Sequence, residues 1–126
     1  MESETGLITI KYRNSYFSLS FAQNGWLAAE LVQYLDDVVE ATDPPVAILK
    51  LLGYTMQISA APPERKADHW VEVDLAAREL ITNSGLLRQA VDQIPPQPGQ
   101  PFGSLTLRRV YEVLDKHDFT VRFRKR

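Results

Sequence analysis

The chain has 126 residues, with 14 Lys and Arg against 16 Asp and Glu for a net charge of -2, and 44% of it is apolar. This is enough for one folded core and excludes disorder throughout. The absence of cysteine excludes disulfides, thiolate zinc sites, iron–sulfur clusters and cysteine nucleophiles.

No apolar run approaches the ~18 residues that a membrane span needs. The start, MESETG, lacks the basic and apolar regions of a signal peptide, which predicts an intracellular, cytoplasmic protein with no membrane partner. The prolines fall in three groups: Pro44–Pro45, Pro62–Pro63, and Pro95, Pro96, Pro98 and Pro101. Proline removes a backbone donor, so these groups mark connections between blocks.

The first block reads as a hairpin. Ile8, Ile10 and Tyr12 alternate with Thr9, Lys11 and Arg13, and Phe17, Leu19 and Phe21 alternate with Tyr16, Ser18 and Ser20. Period two implies one buried and one wet face, with the turn expected at Asn14–Ser15. A helix is expected next over residues 25–41, with Asn24 as its cap and Leu27, Leu31, Tyr34, Leu35 and Val38 on its apolar face. A short second helix should follow. Asp43 suits its cap, Pro44 its first position, Lys50 its last turn and Gly53 its end.

Residues 54–60 and 70–75 each alternate and read as strands, joined by a long hairpin loop that holds Pro62, Pro63, Glu64, Arg65, Lys66 and Asp68. Residues 76–83 and 86–94 read as helical, interrupted at Ser84–Gly85, and Pro95 stops them. The stretch 95–103 reads as an extended connector. Pro95–Pro98 and Pro98–Pro101 also match PxxP, a spacing common by chance. Ser104 should cap a helix over 105–116 with Leu107, Val110, Tyr111 and Leu114 on one face, and residues 119–123 close the chain as a strand.

Together these elements predict one α+β domain over residues 1–126, with flexible ends at 1–5 and 125–126. Its architecture is two-layered: about five short, mostly antiparallel strands with helices packed on one face. No strand is apolar on both faces, which argues against a doubly wound parallel sheet.

Catalytic signatures are absent: the sequence has no GxSxG, GxxxxGK[ST], strand-linked GxGxxG or HExxH. His69 and His117 each adjoin an aspartate, but neighbours in sequence point apart. A loop histidine and a helix-end histidine explain them better than a shared metal site. No cofactor or metal is expected, and the reading leans away from an enzyme.

Charge is polarised along the chain. Residues 24–43 hold five acids and no base, while residues 104–126 carry a net +4 and leave -6 for residues 1–103. The acidic stretch reads as a solvated helix face or, more sharply, as a docking face through Glu30, Asp37 and Glu40. Trp70, on the Glu72 side of its strand, is a candidate interface anchor, against the alternative of a tryptophan folded under its own loop. The leading expectation is therefore a non-enzymatic protein that binds another protein, as a regulator, adaptor, chaperone or neutralising partner.

The alternative is nucleic-acid binding through a basic outer sheet face and tail, Lys11, Arg13, Arg122, Arg124, Lys125 and Arg126. Against it, the aromatic residues of these strands fall mainly on the core side. A third reading is a small-ligand binder or enzyme with a pocket between sheet and helices. The charge polarity also permits homo-oligomers.

Overall fold

The structure, a computed structural model, describes residues 4–125. It is an α+β fold with an open, six-stranded mixed sheet. Strands β1 (Gly6–Tyr12) and β2 (Ser15–Phe21) form the expected hairpin. Tyr12 pairs with Ser15, so the turn residues are Arg13 and Asn14, and Arg13 adopts a positive φ of 56°.

The expected helix over 25–41 is three short pieces: α1 (Leu27–Glu30), a 3-10 turn (Leu31–Tyr34) and α2 (Leu35–Val39). Asn24 does not cap it with its side chain; Asn24 sits at φ 54° and its carbonyl accepts from the Leu27 amide. The break has a packing cause. α1 lies on β1 and a later strand, the 3-10 turn lies on a C-terminal helix, and α2 lies on the next helix in the chain. One straight helix cannot turn its apolar stripe toward three partners in so few residues. The start of this segment is set by backbone contact. The Gly25 amide donates to the Glu4 carbonyl, and a Cβ on Gly25 would overlap the Thr5 carbonyl.

Helix α3 (Pro44–Leu52) forms as its end signals predict. Asp43 accepts from the Val46 amide at 3.4 Å, Pro44 occupies the first turn, and Gly53 leaves the helix at φ 87°. Strand β3 (Gln57–Ser59) is shorter than expected, because Tyr54 and Thr55 are used in a turn.

β3 pairs with β2, whereas β4 (His69–Asp74) pairs in parallel with β1 on the other side of the hairpin. Residues 60–68 are therefore not a hairpin loop. They cross the sheet as a strap over β2 and β1.

The largest correction lies at 76–83, which the sequence reading made helical. Residues 75–78 turn, with Arg78 at φ 53°, and β5 (Glu79–Thr82) returns antiparallel beside β4. Leu80 and Thr82 point inward and are fully buried. Burial of that alternating pair outweighs the helix preference of the Ala-Ala-Arg-Glu-Leu run.

Ser84 then caps α4 (Gly85–Val91) through the Leu87 amide at 3.4 Å. The expected interruption at Ser84–Gly85 is thus the start of a helix. Residues 92–103 form the irregular connector. Helix α5 (Ser104–Lys116) follows with Gly103, not Ser104, at its cap, and β6 (Thr120–Phe123) pairs in parallel with β5.

The strand order is β3-β2-β1-β4-β5-β6. Three of the five pairs are antiparallel, but the β1–β4 and β5–β6 pairs are parallel, so the sheet is mixed, and it has six strands rather than about five. Ile8, Ile10, Val71, Val73 and Leu80 share its inner face and join Val32, Leu35, Ile48, Leu87 and Val110 in one core. At the N-terminal end, expected to be flexible, residues 1–3 lie outside the described residues. Thr5 is held to Asp68 by hydrogen bonds of 2.8 and 3.1 Å.

Candidate functional site

The acidic α2 segment meets the end of α5. The His117 Nε2 lies 2.5 Å from Asp36 Oδ1, and the Lys116 ammonium lies 3.1 Å from the same oxygen and 3.4 Å from Glu40. The hydrogen bonds from His117 and Lys116 hold the Asp36 carboxyl down at about 2, below its ordinary 3.8. In return, Asp36 raises the Lys116 ammonium. Asp36, Glu40 and His117 bring ligand atoms within 4.8 Å of one another, the donor set of a divalent metal. The Lys116 ammonium already provides a cation to both carboxylates, so this cluster reads as a charge-paired joint between two helices.

Glu40 is thereby engaged inside the chain. Asp37, one position from Asp36, makes no ion pair among the described residues, although it also lines a smaller cleft with Asp36, Arg109 and Lys116. It stands at the lip of an open groove between α2 and α3, a cavity of about 630 Å³. Tyr34 and Val46 face this groove and are 44% and 45% exposed. Leu31, Val38 and Leu51 line it with them, and Asp43 and Lys50 stand at its edge. Asp43 serves the α3 cap, which keeps its carboxylate at the groove mouth. Glu30 is half-buried beside Leu31 and makes no ion pair among the described residues.

On the opposite side of the molecule, the outer sheet face is charge-paired. Lys11 lies 3.8 Å from Asp74, and Arg122 lies 2.8 Å from Glu79. Arg13 sits on the hairpin turn over the Tyr12 ring. Arg124 and Lys125 stand at the far end near Asn83 and Trp70, and Arg126 lies outside the described residues.

Trp70 is only 5% exposed, so its indole offers no free anchor. It is covered by Arg65 from the strap, whose guanidinium lies 4.5 Å from the ring centroid. Arg65 also donates to Glu72 at 2.6 and 2.8 Å, and that carboxylate raises its already high pKa. The alternative of a tryptophan folded under its own loop describes this arrangement.

His69 and His117 do not come together. His69 Nε2 meets Glu4 at 2.9 Å, while His117 meets Asp36. Sequence reasoning placed Tyr34 on the buried stripe and did not connect Val46 with it. The proximity of α2 and α3 depends on the break after Glu30, which no local signal marks. It also missed the joint of Asp36 with His117, which lie 81 residues apart.

No family model matches the chain, and no curated protein or solved structure matches it either.

Proposed function

We propose that this protein is a non-catalytic binding module that docks a basic, amphipathic segment of another protein in the α2–α3 groove. The observation that carries the reading is the pair Tyr34 and Val46, two large apolar side chains left exposed on one concave surface. Exposed apolar surface in a concave setting with a polar rim is how docking grooves are built. Asp37, without an ion pair, supplies the complementary charge at the lip, within a segment that holds five acids and no base. A partner helix or strand with apolar anchors and flanking Lys or Arg fits both features. Regulator, adaptor, chaperone and neutralising partner are all roles such a groove serves.

The nucleic-acid alternative is weakened by the pairing of Lys11 with Asp74 and of Arg122 with Glu79, which leaves little net positive charge on the outer face.

The test is quantitative capture of partners by immobilised wild type, Val46→Asp and Asp37→Lys across a salt series. The expected result is a protein partner whose binding falls at least about tenfold in Val46→Asp, a loss of roughly 1.4 kcal/mol. Asp37→Lys should slow association and flatten the salt dependence. Equal capture by all three proteins overturns the reading. So does capture that vanishes with nuclease and with removal of residues 124–126.

A further inference from the structure

The open sheet ends in two strand edges, β3 and β6. A bare edge is a template for another strand unless something shortens or breaks it. β3 has only three residues, and Pro62 and Pro63 follow soon after its end. β6 carries no such protection. It runs over Thr120–Phe123 without proline, in unbroken register with β5 on one side only.

The free side of β6 offers specific groups. The Thr120 and Arg124 amides donate to the Arg78 and Thr82 carbonyls at 2.8 and 2.9 Å. Inward groups of a parallel ladder belong to alternate residues, so the amides and carbonyls of Val121 and Phe123 point away from the sheet. The Phe119 amide is spent on the Leu114 carbonyl at 2.9 Å, while the Phe119 carbonyl has no backbone partner among the described residues.

The flanking charges indicate what pairs there. Asp118 lies on the turn just before the strand, is exposed, and its carboxylate makes no ion pair among the described residues. Arg124 lies just after the strand and is also exposed. Its guanidinium makes one long bond of 3.5 Å, to the Phe123 carbonyl, and no ion pair among the described residues. A free acid before the strand and a free base after it make the edge complementary to itself in an antiparallel pair.

We propose that two copies of this chain pair antiparallel through β6, with Val121 of each copy on the two-fold axis. In this register the four outward amides, those of Val121 and Phe123 in both copies, meet the carbonyls of Val121 and Phe119 of the other copy. Arg124 comes beside Asp118 of the second copy at each end of the ladder, so the basic ends of the two copies lie apart. Arg122 falls opposite Thr120 and keeps its own partner Glu79 at 2.8 Å. A pair centred on Arg122 would form as many backbone bonds but set two guanidinium groups opposite each other, which disfavours it. A ladder this short buries less than about 1,200 Å², so the contact is weak and the chain is monomeric at the dilution of a lysate. It uses neither wall of the α2–α3 groove and does not depend on the docking reading.

Sedimentation velocity of the full chain, at concentrations up to about 1 mM, reads this equilibrium. Wild type should show a reversible monomer–dimer equilibrium that Val46→Asp leaves unchanged. Val121→Lys places two ammonium groups across the axis and should leave monomer alone. Asp118→Arg and Arg124→Asp should each weaken the pair about fivefold, because each affects two symmetric contacts, and the double variant should return to within about twofold of wild type. Both positions are exposed, so the charge exchange reads the register even where Val121→Lys folds poorly.

Monomer at every concentration, a dimer that survives in folded Val121→Lys, or a double variant as weak as the single ones overturns the proposal. A dimer lost in Val46→Asp places the contact in the groove and overturns it as well.

Discussion

The two faces of the sheet are made from the same strands and differ in how each is closed. On the inner face, Ile8, Ile10, Val71, Val73 and Leu80 meet helices through apolar contact alone. On the outer face, the intervening Thr9, Lys11, Glu72 and Asp74 meet one irregular strap and one another through charge. Apolar closure is tight and unspecific in direction, so the inner face is filled. Polar closure requires each group to find a partner, and Thr9 has none among the described residues. The comparison teaches that the openings in this fold lie where closure is incomplete: under the strap on the outer face and, in the helical layer, between α2 and α3.

The sharpest break of this comparison places substitutions on adjacent residues of one strand. Ile10→Ala removes a fully buried side chain and should cost about 2–5 kcal/mol of stability, read by chemical denaturation. Its outer-face neighbour Thr9→Val should instead stabilise by about 1 kcal/mol. If both destabilise, the outer face is packed as tightly as the inner one and the comparison fails.

A smaller effect is expected where the helical layer joins the sheet. Gly25→Ala drives a methyl group into the Thr5 carbonyl and should cost about 1–3 kcal/mol. Hydrogen exchange at Glu4 and Thr5 should rise with it. A neutral result would mean that residues 24–26 rearrange freely and that the origin of α1 is not set by this contact.

The smallest effect concerns the Asp36 joint. The folded state holds this carboxyl at about 2, below its ordinary 3.8. A lowered pKa gives stability that is present above about 4 and is lost as pH falls through about 2. Asp36 is 34% exposed, so solvent screening limits the gain to below about 1 kcal/mol. Thermal melts at pH 5 and pH 2 should therefore differ more in wild type than in Asp36→Asn. Equal differences would show that the joint adds nothing.

Much of the fold was legible because its strands alternate and its helix ends carry local chemistry. The β1–β2 hairpin, α3 with Asp43 and Pro44, α5 and β6 all follow from patterns within a few residues. What was illegible depends on long-range packing. β5 has only four residues and a helix-forming preamble, and the inward burial of Leu80 and Thr82 decides it. The strap was unreadable because a parallel β1–β4 pairing cannot be inferred from alternation.

For the sites, the acidic segment was visible, but its division was not. Asp36 and Glu40 pair with Lys116, while Asp37 makes no ion pair among the described residues and lines both the groove and the cleft beside Lys116. That choice is made by residues about 80 positions away.

The central claim, that the α2–α3 groove receives another protein, is tested most directly by site-specific photo-crosslinking in native lysate. A photoreactive amino acid is placed at Tyr34 in one protein and at Arg122 on the outer face in another. The account predicts a discrete protein adduct from position 34, lost when Val46→Asp is added, and none from position 122. An adduct formed only from position 122, or one from position 34 that survives Val46→Asp, would contradict it.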